Sequence, residues 1–165
     1  MGPTQRDSVM WSKGGALVLP PHLSKRLYYS SFLILGSITS SITNNLPQGL
    51  CLSALVLCTS LNYWRHPVFG WRRNVDILAA VSSLAFQCLV TSSQAPGGAR
   101  SAYLFTVGCG GLCYLRSRHI GVKFRGREGT EASSSLWHMG LHVFGNLGNL
   151  ILYDSLGVNY LGWGS

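Results

Sequence analysis

The sequence predicts an all-α protein, a polytopic transmembrane bundle of about five helices with its N-terminus inside and its C-terminus outside. Three observations predict it. Apolar runs recur between short polar or turn-forming stretches. Charged residues make up only 11% of the chain, less than half of the ~25% usual in soluble domains. The cations also sit between the apolar runs. The 165 residues fit one domain. A formal charge of +8 would raise nucleic acid as a partner in a soluble chain, but here topology accounts for it, so no nucleic acid is expected.

Residues 1–26 read as a polar N-terminal arm, with Pro3, Gly14, Gly15, Pro20 and Pro21 breaking any long helix. No cationic start, apolar run and small-residue cleavage site mark a secretory signal. Gly2 follows Met1, but Arg6 stands where myristoylation wants Ser or Thr. The transmembrane domain is expected over 27–155, with helices near 27–44, 48–64, 76–93, 101–116 and 134–153. Tyr28 and Tyr29 suit an interfacial belt. Asn44, Asn45 and Pro47 form a turn, and Gln94 to Gly98 a loop. The fourth run carries Gly108, Gly110 and Gly111, which permit close helix contact. A polar basic loop is expected from Arg116 to Thr130, and a Gly-rich tail over 156–165. The five cysteines lie in apolar runs and read as small buried hydrophobes. Cys109 and Cys113, four apart, favour a packing face over a metal site.

Five crossings put the N-terminal arm, the loop near residue 70 and the 116–127 loop on one side. Those segments hold 12 of the 13 Lys and Arg, and only Arg100 falls on the other. The positive-inside rule makes that side the cytoplasm or its organelle equivalent. Competing architectures are a soluble helical bundle, a four-helix protein with one re-entrant run, and a chain that crosses only in company with partners.

Ionisable residues within apolar runs are functional candidates by default. Asp76, His138 and His142 qualify, with His66 at the membrane edge, and the topology gives all four a similar depth near the inner face. His138 and His142 are four apart and share one helix face, so they can hold one metal ion. His66 would complete a three-histidine zinc site, with Asp76 as orienter or base. The structural alternatives are an Asp76 ion pair with Arg72 or Arg73, a headgroup-facing His66, and helix-5 histidines that hydrogen-bond neighbouring helices.

At these residues the chain resembles the membrane superfamily that groups alkaline ceramidases with adiponectin-receptor-like proteins. That family carries Ser and His on one helix, Asp at the start of the next and HxxxH on its last. The matching positions are Asn62 or Ser60, then His66, Asp76, His138 and His142. The resemblance implies a zinc held by the three histidines and hydrolysis of a lipid amide or ester. Asn62 or Ser60 would polarise the carbonyl. The family has seven helices against five here, and Asn62 stands where it has Ser. The alternative expectation is a non-catalytic accessory or assembly subunit of a larger membrane complex, bound to the bilayer and to membrane protein partners. Transport has little support, because one interfacial acid does not make a pathway.

Overall fold

The computed structural model describes residues 11–12, 15–16, 18–124 and 127–161. Met1, Gly2, Pro3, Arg6 and Gly14, which figure in the reading above, lie outside them, as do parts of the 116–130 loop and of the 156–165 tail. A two-residue hairpin pairs β1 (Trp11–Ser12) with β2 (Gly15–Ala16). Every other regular element among the described residues is helical. The helices are α1 (Pro21–Ser31), α2 (Ile34–Thr43), α3 (Pro47–Trp64), α4 (Trp71–Phe86), α5 (Gly97–Lys123) and α6 (Thr130–Leu161).

α1 and α2 are one rod bent at Phe32–Leu33. The Ser30 and Ser31 hydroxyls both donate to the Leu27 carbonyl, at 3.0 and 2.9 Å, and serine back-bonding of this kind bends helices. The bend closes with three-residue bonds, Leu33 N–H to Ser30 O and Gly36 N–H to Leu33 O. Counting that rod once, five rods result, the number expected. Asn45, at φ 53°, makes the turn into α3, and Pro47 opens it where its missing N–H costs nothing. Gly70 precedes α4 at φ 152°, ψ −165°, a conformation that is essentially glycine's alone. α4 continues through a π turn (Gln87–Thr91) and a 3₁₀ turn (Ser92–Gln94).

Several helices outrun the apolar runs that predict them. α5 continues seven residues past Arg116 to Lys123, so the expected 116–130 loop shrinks to the residues before Thr130. α6 runs through the expected tail as far as Leu161. Hydropathy sees only the apolar part of a helix, while backbone bonding continues into polar turns. The cysteines also differ from expectation: Cys113 alone is buried, Cys88 and Cys109 are intermediate, and Cys51 and Cys58 are exposed. Both exposed thiols lie on the face of α3 opposite its buried stripe of Gly49, Ser53, Ser60 and Trp64.

Neighbouring rods run antiparallel. Ser117 of α5 meets Ser134 of α6, and Tyr103 lies beside Gly148. The first and last rods run parallel, because their partners climb together: Ser30 with His142, Ser37 with Asn146, Ser40 with Asp154.

The sorting of side chains is inverted relative to a soluble domain. Among the described residues, 17 polar side chains are buried, twelve of them serine, against 12 hydrophobic ones. Large apolar side chains point outward, including Leu89 at 77%, Phe105 at 74% and Leu78 at 68% exposure. Two small apolar clusters remain inside. Tyr103, Leu152, Tyr153 and Leu156 form one end, and Leu27, Tyr63 and Trp64 the other.

Candidate functional site

The second apolar cluster adjoins the polar residues singled out from the sequence. α3 ends on Tyr63 and Trp64, whose rings stack at 4.6 Å between centroids. Trp64 lies edge-on to His138 of α6 at 5.3 Å, and Tyr114 of α5 approaches the same imidazole at 6.1 Å. His138 and His142 stand one turn apart with ring centroids 5.3 Å from each other, as their spacing dictates.

His142 is held from α1. Ser30 Oγ lies 2.8 Å from His142 Nδ1 and 3.0 Å from the Leu27 carbonyl oxygen. A hydroxyl has one proton. With that proton given to Leu27, Nδ1–H of His142 donates to Ser30; with it given to Nδ1, His142 carries its own proton on Nε2. One turn further along, Asn146 Nδ2 donates to the His142 carbonyl at 2.7 Å and its Oδ1 accepts from Ser37 at 2.8 Å.

Asp76 takes a hydroxyl rather than a cation. Ser60 Oγ donates to Asp76 Oδ1 at 2.6 Å, tying the first turns of α4 to the last turns of α3. Of the two candidates for the carbonyl-polarising position, Ser60 is buried and engaged, whereas Asn62 is exposed.

His66 lies just beyond α3 and is exposed, its backbone N–H donating to the Tyr63 carbonyl at 3.1 Å. The residue of α3 that lies against His138 is Trp64. Among the described residues, no three His, Cys, Asp or Glu side chains converge to hold one metal ion. The His138–His142 pair is therefore two ligands of the three that a catalytic zinc uses, and no zinc-dependent step follows from this arrangement.

The residues missing from the sequence reading are Ser30, Tyr63, Trp64 and Tyr114. A signal for Trp64 existed: it stands four after Ser60, so the two share a helix face. Asn62 and His66, also four apart, share another, about 200° away at 3.6 residues per turn. Only one of these pairs can face the core.

Trp71–Gln94 is the one helix among the described residues that is long and apolar enough to cross a membrane by itself. α5 and α6 have the length, but their inward faces of Gly, Ser and Asn dilute their hydropathy. No family model, curated protein or solved structure matches the chain.

Proposed function

We propose that the chain is a multi-pass membrane protein serving as a non-catalytic packing subunit of a larger membrane assembly. The observation that carries this is the inverted sorting, with serines inside and leucines outside. In water so many outward leucines and phenylalanines would form patches far beyond those of soluble monomers. In lipid they are solvated, and the buried hydroxyls hold helices together. The parallel course of the first and last rods supports an odd number of crossings, hence termini on opposite sides. The basic residues support an inward N-terminus.

The subunit role draws on α5. Methyl groups added at Gly108 and Gly111 would meet nothing within 4 Å, so this small-residue face is left for a neighbour outside the chain. The histidines meanwhile are engaged with Ser30, Trp64 and Tyr114.

Two experiments test the reading. In a cysteine-free background, Gly98→Cys and Gly129→Cys, which flank α5, are expected to react with a membrane-impermeant maleimide from opposite sides. Labelling from the same side would sink the topology. Gly108→Leu is expected to abolish co-purification of a membrane partner while helix content is unchanged; full retention would exclude that face as an interface.

A zinc-dependent hydrolase of lipid amides or esters is the second reading, favoured by the adjacent His138 and His142. Elemental analysis separates the two. About one zinc per chain, lost in His138→Ala, would establish the second reading and displace the first.

A further inference from the structure

Where α5 gives way to α6, the surface forms a shallow, open cleft of about 410 Å³. Arg116, Arg127, Glu128, Thr130 and Ser133 line it, with Phe124 as its apolar wall. We propose that this cleft binds a phosphodiester monoanion, presented by an anionic phospholipid headgroup.

The chemistry follows from the lining. Among the described residues that line it, two arginines outnumber one glutamate, so the lining favours an anion. Arginine offers a planar fork of donors that matches phosphate oxygens. Arg127 is pre-positioned, its guanidinium carbon 5.2 Å from the centre of the Phe124 ring. The Thr130 hydroxyl is spent on the Phe124 carbonyl at 2.9 Å, fixing the entry to α6. Ser133, one turn on, brings a further hydroxyl to the cleft.

Location selects the source. The cleft belongs to the loop that shares a side with 12 of the 13 basic residues. In the multi-pass reading, on which this choice of source rests, that is the level of inner-leaflet headgroups. Basic pockets between helices on that side bind anionic lipid headgroups.

The test uses the full chain in neutral detergent, titrated separately with dioctanoyl phosphatidylglycerol, dioctanoyl phosphatidylcholine and inorganic phosphate, with binding read as a rise in Tm. Phosphatidylglycerol is expected to bind at least about tenfold more tightly than phosphatidylcholine, since each tenfold is ~1.4 kcal/mol. The Arg116→Gln/Arg127→Gln protein should lose that preference, and Arg116→Lys/Arg127→Lys should recover part of it. Arg72→Gln/Arg73→Gln, on the same side but outside the cleft, should keep it. Equal binding of the two lipids, or equal loss in the 72/73 variant, would overturn the site. Inorganic phosphate binding as tightly as phosphatidylglycerol would overturn the lipid source. Because binding is read in detergent, its failure is distinguishable from failure of the maleimide topology test.

Discussion

α6 is gripped on two sides by different means. Toward α5 the contact is mainly steric, with one polar joint where Ser117 and Ser134 exchange hydrogen bonds. A methyl added at Gly140 would lie 2.9 Å from Cys113 Sγ, and one at Gly148 would lie 3.2 Å from Val107 Cγ2. Toward α1 and α2 the contact is polar, through Ser30, Ser37 and Ser40 on His142, Asn146 and Asp154. Lipid tails are as apolar as leucine, so between helices in a membrane only close packing and hydrogen bonding remain as cohesive forces. One seam therefore tolerates loss of polarity and not gain of volume. The other does not tolerate loss of a partner, and at Gly157, where an added methyl would collide with the Asn44 side chain that caps α2, it does not tolerate added volume either.

The contrast can be broken first at its steric seam. Gly140→Leu should cost about 3 kcal/mol, the upper end of overpacking penalties, read as a fall in Tm and in the denaturant midpoint. Gly140→Ala should cost roughly 1 kcal/mol, and Cys113→Ala should restore most of it by removing the opposing sulfur. On the polar seam, Asn146→Ala strands the Ser37 hydroxyl, and about 1–2 kcal/mol is expected to be lost. A double-mutant cycle with Ser37→Ala should give a coupling of about 0.6 kcal/mol, the mean for such bonds in membranes. A coupling above ~2 kcal/mol would mean that the hydroxyl does more than join two helices.

Ser83 sharpens the comparison from the other side. Its hydroxyl is buried and has no hydrogen-bond partner among the described residues. Ser83→Ala should change stability by no more than about 0.5 kcal/mol, or raise it, because an unsatisfied group is removed. A loss approaching that of Asn146→Ala would show that α4 holds its neighbours by a polar contact of its own.

Depth was readable in the sequence, and direction around the helix much less so. Counting along apolar runs brings His138, His142, Asp76 and the end of α3 to one level, and Asp76 does meet Ser60 there. The same counting cannot say that His66 faces away and Trp64 faces in. That choice is made by the whole stripe Gly49, Ser53, Ser60, Trp64, whose small residues let α3 approach its neighbours. At Gly49 an added methyl would sit 2.9 Å from the Tyr153 ring. The serines of the first run carry no such signal. Their role emerges when each is paired across helices, and a partner over a hundred residues away leaves no trace in local periodicity.

That remoteness bears on how the chain is made. The partners of Ser30, Ser37 and Ser40 lie 112, 109 and 114 residues downstream. At ~5–20 residues per second, translation leaves roughly 5–20 s during which the first rod has been synthesised and its partner has not. Until α6 arrives, those three hydroxyls lack the partners they have in the folded chain and must bond locally, as Ser30 does to Leu27, or to solvent. Assembly of this bundle is therefore closed by its last helix, and a ribosome stalled before residue 130 would leave an open half-bundle for quality control to find.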